Sequence, residues 1–291
     1  MIDERGQILL YRQDISQFHE QYPDQLVSMD GKTYSYKLAG EGDSVIILLS
    51  GGFGVSSNWF RHMGYFAKRF KVLTFDYPTE FDNNAALADW IAKLIAQLRL
   101  PPVVLVGQSY GGCLAQVIAK RHPAVVKGMV LSNTAALTRS ARRELQNMTN
   151  KLKLLYWLVQ ALPYSWLKPV FLKMSISKVK EGTGEEQAYI KAVFRDLMAP
   201  YTKRKELQMD RLLLGLVDEA GYLPEHFAGL DGKVLLILSP DDRTFSDVVK
   251  RELISLMPNP TVCTTLSGGH LAALLHIEDY IQAVSSFIET I

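Results

Sequence analysis

The sequence predicts an α/β protein: a mostly parallel central sheet with helices on both faces, interrupted once by an all-helical insertion. Three observations carry this. Short apolar runs rich in Val, Ile and Leu alternate with stretches of helical spacing, the pattern of buried parallel strands joined by helices. Between Ala135 and about Tyr222 that alternation stops and only helical spacing remains. Four strand-like runs end in loops made of Gly, Ser, Asp or His, and open parallel sheets bind ligands at those strand ends.

The elements follow in chain order. Residues 1–25 are polar with scattered apolar positions and suggest a helix that turns at Pro23. Leu26–Met29 and Lys32–Tyr36 flank Asp30-Gly31 and read as a hairpin with a type I′ turn, because both central positions tolerate positive φ. Val45–Leu49 and Val72–Asp76 read as strands, and Ala85–Leu98 as a helix with Asp82 as its N-cap. Pro102–Val106 is the next strand, followed by a helix over Gly112–Ala119 and a strand over Val125–Leu131. Four helices are expected in the insertion, over Arg142–Ala161, Ser165–Ser177, Glu185–Met198 and Lys203–Ala220, punctuated by Pro163, Gly182-Thr183-Gly184 and Pro200. Lys233–Leu238 and Thr261–Leu266 complete the strands.

A chain of 291 residues that is 48% hydrophobic can bury a large core, and suits one α/β domain with an insertion. The expected organisation is a core of residues 1–134 and 223–291, with 135–222 inserted after the sixth strand. A net charge of +2 implies no global electrostatic partner. No run of 18 apolar residues occurs, and the first residues lack the apolar stretch of a signal peptide. Two cysteines, Cys113 and Cys263, read as small core residues, which fits a reducing, cytoplasmic location. No Cys/His cluster has zinc spacing, so neither a metal nor another cofactor is expected.

Gly107-Gln108-Ser109-Tyr110-Gly111 is the most informative motif. It joins a strand to a helix as G-x-S-x-G, the setting of a nucleophile elbow. The turn is so tight that side chains at Gly107 and Gly111 would collide, and it holds Ser109 strained above the strand end. A dinucleotide fingerprint is excluded, because that motif needs G-x-G-x-x-G. A serine hydroxyl needs a base to take its proton. Of six histidines, His270 stands on the Gly-rich loop Ser267-Gly268-Gly269-His270 between a strand and a helix, placed to reach over a sheet edge. The carboxylate that would orient it belongs in Ser239-Pro240-Asp241-Asp242, just past a buried strand, where two adjacent aspartates compete. An oxyanion hole would take one donor from the Tyr110 N–H. The other would come from Ser50-Gly51-Gly52-Phe53-Gly54, first from the Gly52 N–H and second from the Phe53 N–H. Ser56 or Ser57 would cap the helix that follows.

These four loops, in this order and at this spacing, resemble those of the α/β-hydrolase superfamily over roughly residues 26–134 and 223–291. The resemblance implies an α/β-hydrolase core with a helical cap, and a catalytic triad of Ser109, Asp242 and His270. Asp242 is preferred to Asp241 because the family's acid commonly stands three residues after the small residue closing its strand, here Ser239. Two departures stand out: Ser50-Gly51 replaces the family's usual His-Gly, and Tyr77–Asp82 replaces a Gly- and Ser-containing loop. The implied reaction is hydrolysis through an acyl-enzyme, with a small-molecule ester or thioester carrying an apolar or aromatic part as substrate. C–C or amide cleavage, or a non-turnover binding role on the same fold, are the alternatives.

The insertion contributes aromatic residues, and Phe53, Trp157 and Trp166 are the expected substrate-lining residues. Between Thr138 and Arg211 the chain carries fifteen Lys/Arg against seven Asp/Glu, including Lys203-Arg204-Lys205. Such runs usually form solvated helix faces. Attraction of an anionic substrate or contact with an anionic membrane surface are the further readings. No nucleic-acid partner is expected, since no reading module accompanies the charge.

Overall fold

In the computed structural model, which describes residues 4–177, 179 and 183–291, eight strands form one sheet in the order β1-β2-β4-β3-β5-β6-β7-β8. The strands are β1 (Gln25–Met29), β2 (Lys32–Ala39), β3 (Val45–Leu49), β4 (Lys71–Thr74), β5 (Val103–Gln108), β6 (Val126–Ser132), β7 (Val234–Ile237) and β8 (Thr261–Cys263). From β4 to β8 every neighbouring pair is parallel, while β2 runs antiparallel to β1 and β4. The central strands read as unbroken apolar runs because helices cover both faces; every residue of β3 and of Val103–Gly107 is buried.

The β1–β2 hairpin has the expected turn, with Asp30 at φ 50° and Gly31 at φ 74°, and Met29 opposite Lys32. Helix α1 (Glu4–Gln21) precedes it, ending ahead of Pro23. α2 (Phe60–Phe66), α3 (Asn84–Gln97) and α4 (Tyr110–Arg121) follow β3, β4 and β5. The N-cap of α3 is Asn83, whose side chain accepts the Ala86 N–H, and not Asp82, which pairs with Arg211 instead. Neither Ser56 nor Ser57 is a cap: the N-cap of α2 is Trp59. The Ser56 N–H and hydroxyl both donate to Asp76 Oδ1, at 2.7 and 2.8 Å.

Between β6 and β7 lie four helices: α5 (Arg142–Ala161), α6 (Tyr164–Ser177), α7 (Gly184–Met198) and α8 (Lys203–Glu219). Thr183 and Glu186 form a capping box on α7, and Thr202 caps α8. α1 packs against α7 through Tyr11 and Tyr189, whose rings meet edge-on at 5.6 Å, and Tyr189 Oη donates to Asp14. The chain closes with α9 (Asp247–Leu256), α10 (Ala272–Leu275) and α11 (Ile277–Ile288). β7 and β8 are shorter than their apolar runs, because pairing ends where the loops bearing Asp242 and His270 turn away. Among the described residues no helix is long and apolar enough to cross a membrane, and no His/Cys/Asp/Glu group could hold a metal ion.

Candidate active site

The strand order reverses around β3, which lies between β4 and β5, so the loops after β3 and β5 stand side by side at the carboxyl ends of the central strands. The loop after β5 carries Ser109, at φ 54° and ψ −122° as the N-cap of α4. A non-glycine residue there is strained, by about 1–3 kcal/mol. The strain is imposed from both sides. A Cβ on Gly107 would stand 2.3 Å from Gly111 O, and one on Gly111 would stand 2.1 Å from Leu49 O. Glycine alone allows strands β3 and β5 and helix α4 to approach this closely. Thr134 Oγ1 donates to Ser109 O at 2.6 Å and fixes the turn from β6.

The loops after β7 and β8 bring a carboxylate and an imidazole together. His270 Nδ1 lies 3.0 Å from Asp242 Oδ2, and Asp242 Oδ1 accepts the Thr244 N–H at 2.8 Å. Burial alone would push the Asp242 carboxyl up. The hydrogen bond and charge of His270, with the Thr244 amide, outweigh burial and hold it below the usual carboxylate range. Asp241 plays a different part, accepting the Gly268 N–H at 2.9 Å and so shaping the loop that carries His270. The choice between the two aspartates therefore rests on geometry, and only Asp242 touches the imidazole. Among the described residues no hydrogen bond joins the Ser109 hydroxyl to His270, a looseness common before substrate binds.

Asn133, which no motif marks, ties these loops together. Its amide nitrogen donates to Ser239 Oγ and to Gly269 O, both at 2.9 Å, and its Oδ1 accepts the Ser239 N–H at 2.8 Å. It takes φ 42°, a left-handed conformation that asparagine tolerates well. Lys250 Nζ donates to Ser239 O and Asp242 O, and Gln108 Nε2 to His270 O. His62, the histidine that is fully buried, is structural. His62 is desolvated to a value of about 4, so it is neutral, and its Nε2 bonds Ala273 O.

The loop Ser50–Val55 lies beside the serine: a Cβ on Gly51 would stand 3.6 Å from Ser109 Cβ. Its carbonyls are held one by one. Tyr77 Oη donates to Ser50 O and Ser50 Oγ to Val55 O, each at 2.7 Å. Tyr201 Oη donates to Phe53 O, and Lys205 Nζ to Gly54 O at 3.0 Å and Tyr77 O at 2.7 Å. Lys205 is thus no part of a solvated basic face. It is buried, and burial, only partly offset by Asp76, lowers its ammonium to about 8. One signal of this lies in the residue spacing: Lys205, Met209, Leu212 and Leu216 share one helical face. If Lys205 positions this loop, Lys205→Met lowers turnover about 10- to 100-fold with KM little changed, and Lys205→Arg restores part of it; steady-state kinetics read both.

Phe53 is half-buried against Phe194 and Tyr201. It also packs on a small apolar cluster of Val159, Phe171 and Met198. Trp157 and Trp166 do not join this cluster: they are 65% and 69% exposed, because α5 and α6 turn other residues inward. Gly52 is exposed, and Tyr110 opens α4, whose positive end faces the same strand ends.

One face of α8 also carries Glu206 and Asp210, which sequence patterning does not single out. Tyr164 Oη donates to Glu206 Oε2 at 3.0 Å, whereas Asp210 is buried with Oδ2 unpartnered. Burial, helped by Glu206, raises the Asp210 carboxyl to about 7. An unfolded aspartate titrates near about 3.9, so between the two values the folded chain keeps a proton the unfolded chain releases. Stability therefore falls as pH rises through that window. Asp210→Asn should match wild type near pH 4 and exceed it by about 2–4 kcal/mol near pH 8, read from urea midpoints.

The comparisons with known proteins bear on the family and the fold. The pattern of the alpha/beta hydrolase fold matches residues 44–277. The chain is 25% identical over 266 residues to an sn-1-specific diacylglycerol lipase of Mus musculus, covering 87% of this chain and 84% of that one. It is 28% identical over 123 residues to an (E)-2-((N-methylformamido)methylene)succinate hydrolase of Acinetobacter baylyi, a match that spans 40% of this chain and 46% of that enzyme. The crystal structure of an enol-lactonase from Burkholderia xenovorans superposes with a TM-score of 0.70 at 17% identity, covering 91% of this chain and 100% of that one. The sheet order, the strained turn and the match across most of the chain lead to one conclusion: this chain belongs to the α/β-hydrolase family.

Proposed function

We propose that the protein is a serine hydrolase acting through an acyl-enzyme on an ester or thioester with an apolar part. The observation that carries this is the His270–Asp242 pair, at 3.0 Å, on loops beside a serine held at φ 54°. His270 Nε2 takes the Ser109 proton as Oγ attacks the substrate carbonyl carbon. Asp242 keeps the proton on Nδ1 and stabilises the imidazolium. The Tyr110 N–H and the Gly52 N–H receive the oxyanion. Collapse of the tetrahedral adduct breaks the bond to the leaving group, which takes the proton from His270. Water then repeats the sequence on the acyl-enzyme and frees the acid.

Helices α5–α8 act as the cap over this site. Phe53, with Phe194 and Tyr201 packed on it, makes the loop beside Ser109 aromatic, which supports an apolar substrate. A relative named as an sn-1-specific diacylglycerol lipase supports an ester substrate with an apolar part.

The test is covalent labelling with a fluorophosphonate beside a panel of p-nitrophenyl esters of rising chain length. Mass spectrometry placing the label on Ser109, with turnover peaking at one acyl length, supports the reading and sizes the pocket. A folded protein with neither label nor turnover overturns it in favour of a non-turnover binding role.

A further inference from the structure

Two of the four tryptophans are buried, Trp59 and Trp90, and the other two stand in water on one helical hairpin. α5 presents Leu154, Trp157 and Leu158 to solvent, at the i, i+3, i+4 spacing of one helix face. α6 presents Trp166, Val170 and Met174, at i, i+4, i+8, with Trp166 69% exposed and Val170 51% exposed. Only Leu162 and Pro163 separate the helices, so both tryptophans lie within about two turns of the hairpin tip. The inward sides of these helices are already satisfied: Val159 and Phe171 are buried with Met198. The outward apolar residues are therefore left largely uncovered by the fold, and exposed side chains of this size on two helices joined by two residues mark an interaction surface.

The charge on these helices says what kind. Residues 142–177 hold six Lys/Arg and one acid, Glu144. Glu144 is taken up by Ser246, whose N–H it accepts at 2.9 Å, near the opposite end of α5 from the tryptophans. Lys151, Lys153 and Lys173 are exposed, and Lys203 Nζ sits at the hairpin tip on Gln160 O and Leu162 O. An isologous contact between two copies would oppose these like charges. An anionic surface that accepts apolar side chains between its charged groups fits both halves of the patch. Lysine among tryptophan and leucine is the composition of helices that lie in a lipid interface.

We propose that the α5–α6 hairpin is a docking face for an anionic phospholipid surface, with Trp157 and Trp166 inserted at headgroup level and the lysines paired with lipid phosphates. This binding does not depend on the proposed chemistry, and its readout needs no turnover.

The test uses the full chain and phosphatidylcholine vesicles with and without about 30% phosphatidylglycerol. The expected result is co-sedimentation with the anionic vesicles only, with a blue shift of tryptophan emission, since Trp59 and Trp90 are already buried. Trp157→Ser with Trp166→Ser lowers partitioning at least about tenfold, and Lys151→Glu with Lys173→Glu does likewise. Both variants keep the wild-type circular dichroism and thermal midpoint. Three results would overturn the proposal: no vesicle binding, binding indifferent to lipid charge, or a lipid-free dimer that the tryptophan double variant disperses, which would assign the face to a second copy.

Discussion

Ser109→Ala turns over esters about 10⁶-fold more slowly than wild type and takes no fluorophosphonate label, if Ser109 is the nucleophile. The magnitude follows from how a triad works. The serine and its base act as a unit, and removing either leaves only the oxyanion donors and substrate binding. A companion variant separates chemistry from fold. Ser109 sits at φ 54° and ψ −122°, a conformation forced by the close packing of Gly107 and Gly111. Glycine relieves that strain, so Ser109→Gly is equally inactive yet more stable by about 1 kcal/mol, the strain relieved less the extra chain entropy of glycine. Loss of activity with a raised urea midpoint marks a residue kept for chemistry. Loss of activity with loss of stability would mark a packing residue and sink the assignment.

The second large effect divides the adjacent aspartates. Asp242→Asn leaves the packing in place but no longer fixes the His270 tautomer, and lowers kcat by about 10⁴. Asp241→Asn keeps a side-chain oxygen that can accept the Gly268 N–H, and costs less than about tenfold in kcat. Steady-state rates for the two variants separate the roles, since a triad built on Asp241 would reverse the order. The pH dependence of stability supplies a further reading. The Asp242 carboxyl is held below its ordinary range in the folded chain, so its ionised form adds stability that is fully present above the unfolded value of about 3.9. That contribution is lost as pH falls through the folded value. The urea midpoint of wild type should therefore exceed that of Asp242→Asn near neutral pH, and the margin should shrink once pH drops below about 4.

Much of this arrangement is local and therefore legible in the residues. The elbow is legible from Gly107 and Gly111 flanking Ser109; Gly107 meets Gly111 within the turn itself, whereas the clash that Gly111 avoids is with Leu49 O of β3, a contact only the assembled sheet makes. The hairpin at Asp30-Gly31, the buried parallel strands and the four helices between β6 and β7 follow from turn chemistry and hydrophobic period, each decided within one segment. The sequence order of the serine, aspartate and histidine loops belongs to the same class, since each loop ends its own strand.

The contacts between segments were decided by the tertiary structure. Asp241 and Asp242 have the same side chain one residue apart; family spacing favours Asp242, but the contact itself, Asp242 on the imidazole and Asp241 on the Gly268 N–H, depends on where the loop after β8 lies. Asn133 joins two loops more than a hundred residues downstream of it. Lys205 belongs to a basic run that composition places in water, yet the turn of α8 over the Ser50–Val55 loop buries it on two backbone carbonyls. Trp157 and Trp166 show the reverse: their apolarity suggested a pocket lining, and the packing of α5 and α6 left them outside. A helix's residue spacing defines its faces, but the face turned inward is chosen by which one finds complementary surface and partners for its buried polar groups, and that is settled only when the helices meet the sheet.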